Sequence, residues 1–118
     1  MKRNKRTGFT LVEIMIVVLI IGILLAIAVP NFIKARQNSR LQTIIANLKQ
    51  IESAEEQWAM ELGKVGADVA TSGDLAPVYM KKWPAGPVTG VYLANAVNVD
   101  PTFNGKDADA WRSDPTGL

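Results

Sequence analysis

Glu13 is the residue whose surroundings make its chemistry most conspicuous. It is the one ionisable side chain in residues 9–29, and residues 14–29 carry no polar side chain at all. A charge at membrane depth costs about 2.5–3.5 kcal/mol on insertion scales and marks a function and a partner. Glu13 follows Phe9 by four residues, one helical turn, so the two share a face. Elsewhere reactive chemistry is sparse. The 118 residues include no His and no Cys. That removes the commonest general base, the usual zinc ligand, the His-dependent triads and any thiolate or disulfide chemistry. Asp100, Asp107, Asp109 and Asp114 offer hard oxygen ligands of the kind calcium takes, but their spacing matches no EF-hand loop. Lys81-Lys82-Trp83-Pro84 combines basic and aromatic groups as nucleic-acid contacts do. Two lysines are a weak signal, and a solvated turn is the expected reading. With no Gly-rich phosphate loop and no paired acids, the sequence predicts no enzyme and no metal site.

The elements that must position Glu13 follow from hydropathy and charge. Of the chain, 48% is hydrophobic, and that content is concentrated near the N-terminus. Residues 9–29 as a helix span about 31 Å, which matches a hydrocarbon core of about 30 Å. Ahead of them stand Lys2, Arg3, Lys5 and Arg6 with no acid among them. The formal charge of +2 therefore hides an asymmetry, because the chain without these four residues is −2. The basic cluster is a leader or topology signal and places its end in the cytoplasm. Lys34, Arg36 and Arg40 at the far end of the apolar run make that preference a weak one on charge alone.

A basic start, an apolar run and Ala26-Ile27-Ala28 resemble a cleaved secretory signal, but the run is long for one and Glu13 opposes insertion. A plain signal anchor fits the length and leaves Glu13 unexplained. The segment Lys5-Arg6-Thr7-Gly8-Phe9-Thr10-Leu11-Val12-Glu13, followed by the apolar run, closely resembles the processing and assembly signal of type IV pilins and type II secretion pseudopilins. The resemblance is strong over residues 1 to about 35, moderate to residue 62 and weak beyond. It implies that a prepilin peptidase cuts between Gly8 and Phe9, that the new N-terminal Phe9 is N-methylated, and that the apolar helix is retained. A scissile peptide must be threaded extended, and the missing Cβ of Gly8 suits that. The resemblance further implies that Glu13 of an incoming subunit neutralises the Phe9 amine of a neighbour. One buried polar pair would then set the axial register, as a single polar residue does in a coiled coil.

The implied protein is a structural subunit of a pilus or pseudopilus, with a minor or tip subunit that binds DNA, a surface or secreted cargo as the alternative. Its partners would be copies of itself or other pilins, the prepilin peptidase and an inner-membrane assembly platform; nucleic acid is not expected. It would cross the cytoplasmic membrane once, with its N-terminus cytoplasmic and its head periplasmic or extracellular, and then enter a filament. Major secretion pseudopilins bind calcium in a C-terminal loop. Their Asp-Pro-Trp-Gly type of motif is absent here, with Asp100-Pro101-Thr102-Phe103 in its place at best, so no cofactor is expected and calcium is the weaker alternative.

The predicted fold is α+β and pilin-like: a leader over 1–8, an apolar helix over 9–30, an amphipathic helix over 31–62 and a small head over 63–118. Gly22 and Pro30 are helix breakers, and Pro30 bends a helix running from about 10 to 62. The resemblance implies that the stretch from Gly22 to Pro30 can unwind in a filament. Beyond it, Phe32, Ile33, Leu41, Ile44, Ile45, Leu48, Ile51, Trp58 and Leu62 form an apolar pattern. Lys34, Arg36, Arg40, Lys49, Glu52, Glu55, Glu56 and Glu61 cover the other positions. Gly63 ends the helix. A short helical turn is expected near Asp74. Strand signals lie at Val88-Thr89, Val91-Tyr92-Leu93 and Val97-Asn98-Val99, giving two to four short antiparallel strands with Trp83, Tyr92 and Val97 in the core. Residues 100–118 read as loop with turns at Asn104-Gly105 and Asp114-Pro115. A head of about 55 residues barely closes a core of its own, so packing on the long helix or on neighbours is expected.

Overall fold

The structure is a computed structural model that describes residues 8–118. The basic leader, with Lys2, Arg3, Lys5 and Arg6, lies outside the described residues. The elements in chain order are α1 (Leu11–Leu62), α2 (Ser72–Leu75), β1 (Tyr92–Leu93), β2 (Thr102–Phe103) and α3 (Ala108–Ser113). The chain divides into two units, with the division between Ala35 and Arg36, inside α1.

In the first unit α1 is helical without interruption through Gly22 and Pro30. Proline has no N–H to offer the carbonyl four residues back, so the ladder loses one bond there while the flanking turns hold. Every residue from 8 to 39 is exposed. The apolar surface of this stretch is covered by no other part of the described chain.

In the second unit, α1 presents a stripe of Ile44, Ile45, Leu48, Ile51, Ala54, Trp58 and Ala59, all buried. Phe32, Ile33 and Leu62, included in the sequence pattern, stay exposed. The covered face thus runs from the half-buried Leu41 to Ala59, in agreement with the spacing from Leu41 to Trp58 that marks one helical face. Glu55 is a larger correction. Assigned to the polar face, it is 3% exposed and lies within the stripe. The seven-residue gap from Ile51 to Trp58 left positions 54 and 55 to fill the same face, and Glu55 occupies one of them. The helix ends as expected at Gly63, whose φ of +60° lets the Lys64 N–H reach the Ala59 carbonyl at 2.9 Å. A residue without Cβ adopts that conformation at the lowest cost.

The rest of the unit is laid over this stripe. Phe103 is fully buried and joins Tyr92 and Trp111, with ring centroids 4.4 and 6.0 Å away. Trp111 Nε1–H donates to the Phe103 carbonyl at 3.0 Å. Tyr92 is bound back to α1, where Asn47 Nδ2 donates to its hydroxyl at 2.9 Å. Tyr92 is core as expected; Trp83 and Val97 are half-buried against the core.

The sheet is smaller than the strand signals suggested. β1 and β2 pair antiparallel in the register Tyr92↔Phe103 and Leu93↔Thr102. Val97 and Val99 are not strand: the Val97 N–H donates to Asp68 and the Val99 N–H closes a turn on Ala96. Val88-Thr89 is laid against β2 without pairing. A Cβ on Gly86 or Gly90 would come within 2.7 or 2.5 Å of the Phe103 ring, so this segment approaches the ring by its bare backbone. Asn104 ties it down by donating from Nδ2 to Thr89 and accepting from Val91 N–H.

Residues 100–118 are also more regular than expected, since they hold β2 and α3. The turn at Asn104-Gly105 is present, with φ of 52° and 79° and a bridge between Phe103 and Lys106. Two positive φ values in a two-residue loop are the hairpin geometry that Asn-Gly favours. Phe103→Ala leaves a cavity beneath three packed elements and costs about 3–5 kcal/mol. The expected outcome is loss of cooperative thermal unfolding followed by tryptophan fluorescence, while helical circular dichroism persists.

Candidate functional site

The start of α1 is built from local hydrogen bonds. Thr10 N–H donates to Glu13 Oε2 at 2.8 Å, and Glu13 N–H donates to Thr10 Oγ1 at 3.2 Å. This reciprocal pair is a capping box: it satisfies two backbone donors that the first turn of a helix leaves without partners. The carboxylate also lies at the positive end of the helix dipole, where negative charge is stabilised. Glu13 is thus held by one oxygen at the mouth of the helix, on an exposed surface, with Phe9 exposed just before it. Thr10 was missed as a site residue in the sequence. Its signal was the Thr-x-x-Glu spacing ahead of an apolar run.

The other predicted positions fall as follows. Gly8 is exposed ahead of the helix, and a Cβ there would touch nothing. Gly22 is likewise open on all sides. Pro30 lies within α1. Beyond Pro30, α1 continues the apolar exposure through Phe32 and Ile33. From Leu11 on, α1 is long and apolar enough to cross a membrane.

The aspartates of the C-terminal part do not converge, and among the described residues no cluster of three or more acidic side chains could hold a metal ion. Asp107 caps α3 by accepting from Ala110 N–H at 2.7 Å. Asp109 pairs with Arg112. Asp100 and Asp109 line a shallow groove of about 170 Å³ together with Glu52, Lys49 and Arg112. Asp114 is engaged by Lys106, whose Nζ donates to Asp114 Oδ2 at 2.8 Å and to its carbonyl at 3.0 Å. The same ammonium sits 4.7 Å from the Trp111 ring centroid. An internal cation thereby gathers the C-terminal oxygens. Lys81 and Lys82 are exposed, and Trp83 turns inward to the core instead of joining them on the surface.

Lys106 and then Thr116 hold Asp114 below the usual carboxylate range, at about 2. A carboxyl whose folded value is depressed adds stability above its unfolded value and loses it as pH falls through the folded one. Wild type therefore weakens between about pH 4 and pH 2 from this group. In Lys106→Met, Asp114 is expected to titrate higher than in wild type, while the Thr116 N–H and hydroxyl that still donate to it keep it below the ordinary value, read by carboxyl NMR.

Residues 3–29 match the prokaryotic N-terminal methylation motif. The chain is 45% identical over 75 residues to the type IV major pilin protein PilA of Myxococcus xanthus, covering 64% of this chain and 33% of that one. It is 34% identical over 61 residues to the type II secretion system core protein G of Klebsiella michiganensis, covering 52% and 43% respectively. It is 39% identical over 66 residues to the type IV major fimbrial protein FimA of Dichelobacter nodosus, covering 56% and 42%. The chain thus spans less than half the length of each of these relatives. No solved structure matches it. In its methylation motif and the aligned stretches, the chain is similar to type IV pilins and to the type II secretion system core protein G.

Proposed function

We propose that this chain is a structural subunit that is processed at its N-terminus and polymerises, through α1, into a type IV pilus or a type II secretion pseudopilus. The observation that carries this reading is the exposed apolar surface of α1 from Leu11 to Val29, which starts beside a single carboxylate. Such a surface needs a membrane or neighbouring helices around it. The subunit first sits in the cytoplasmic membrane with its basic end inside. A prepilin peptidase then cuts between Gly8 and Phe9, and Phe9 receives the methyl group.

Cleavage turns the Phe9 amide into a cationic amine. Amine and carboxylate attract strongly in a low-dielectric setting, and either alone is costly there. In the capping box, Thr10 holds Glu13 by Oε2. The carboxylate is therefore oriented before it meets the amine of a neighbouring subunit. An apolar surface slides freely along another, so this pair is what selects one axial register. Gly22 and Pro30 weaken the ladder between them and supply the place where the helix bends or unwinds on leaving the membrane. The role is structural, with the assembly platform and other pilins as partners.

Mass spectrometry of the mature protein is expected to show an N-terminus at methylated Phe9. An N-terminus at Met1 or Val29 overturns the reading. Glu13→Ala is expected to leave processing and membrane insertion intact on immunoblots and to abolish filaments in sheared fractions. Filament yield equal to wild type would remove Glu13 from assembly.

A further inference from the structure

Glu55 is the one acidic residue buried among the described residues, at 3% exposure on the apolar stripe, between Ile51 and Ala54 on one side and Trp58 and Ala59 on the other. Its Oε1 has no hydrogen-bond partner. A carboxylic acid tolerates such a place far better than a carboxylate does. The surrounding charges give no relief. On α1, Glu52 and Glu56 act on Glu55 with like charge, and Glu61 is engaged by the Tyr79 hydroxyl. On the segments laid over the stripe, Asp74 accepts from Thr71 and the Tyr92 hydroxyl accepts from Asn47. Lys64 lies over the Trp58 ring, 5.3 Å from its centroid. Both salt bridges among the described residues are formed elsewhere, by Lys106 with Asp114 and Arg112 with Asp109.

We propose that Glu55 is a proton-sensitive latch between α1 and the C-terminal segment, which seats on the stripe when Glu55 is protonated and loosens when it ionises. Burial first, and then Glu52 and Glu56, push this carboxyl up to about 7. A folded value raised above the unfolded one gives stability that is full below the unfolded value of 4.5 and is lost as pH rises toward the folded one. Seating is therefore firmest in acid, weakens between pH 4.5 and about 7, and is level above that. The interval covers the change from mildly acidic to neutral surroundings.

Amide hydrogen exchange on the full chain in detergent micelles, corrected for intrinsic rates, reads the opening directly. Between pH 5 and pH 8, opening at Leu75, Met80, Tyr92 and Phe103 is expected to rise on the order of 10- to 100-fold in wild type. In Glu55→Gln it is expected to stay level and, at pH 8, to fall below wild type. A level wild-type profile, or a Glu55→Gln profile that still rises as wild type does, overturns the proposal. Should Glu55→Gln fail to fold, carboxyl NMR of wild type decides: a Glu55 midpoint at or above pH 6 supports the latch, and any lower midpoint overturns it.

Discussion

A C-terminal segment of some 55 residues has too little apolar surface to enclose a core by folding on itself. The burial of one stripe of α1, from Ile44 to Ala59, is the constraint that every other contact in this unit answers. α2, β1, β2 and α3 each contribute one large buried side chain to it: Leu75, Tyr92, Phe103 and Trp111 in turn. Strands of two residues contribute little ladder energy of their own. They persist because Phe103 is fully buried between Tyr92 and Trp111 and because Asn47 on the helix holds the Tyr92 hydroxyl.

The two halves of α1 solve opposite problems with the same backbone. From Ile14 to Val29 the helix is apolar all round and exposed. From Ile44 onward it is apolar on one side and covered by its own chain. Polar chemistry is correspondingly rare and local. At the start, Thr10 and Glu13 close the helix end on each other. Near the C-terminus, Lys106 collects the oxygens of Asp114 and lies over Trp111. In both places a single charge organises backbone that would otherwise be left without partners.

Composition and periodicity already carried the long helix, its stop at Gly63, the short turn near Asp74 and the Asn104-Gly105 turn. Each rests on interactions within a few residues, which sequence spacing encodes directly. The match to the methylation motif likewise covers one continuous run, residues 3–29. The capping role of Thr10 was equally legible in Thr-x-x-Glu, although the apolar run and the acid drew the reading elsewhere. The strand signals at Val88-Thr89 and Val97–Val99 misled because β-branched residues record a preference for extended backbone and not the presence of a partner. Here the partner strand was Thr102–Phe103, in a stretch whose prolines and aspartates read as loop.

What the sequence determined by itself was the long helix, its division into an apolar half and an amphipathic half, and the chemistry of its first turn, since all of these depend on neighbours along the chain. Tertiary structure alone decided which side chains the stripe takes in. It left Phe32, Ile33 and Leu62 outside and brought Glu55 inside, although a glutamate at that spacing reads as solvated. The physical reason is that burial depends on what is laid over a helix face, and the side chains that cover this one come from Ala70 to Trp111, well beyond the helix along the chain.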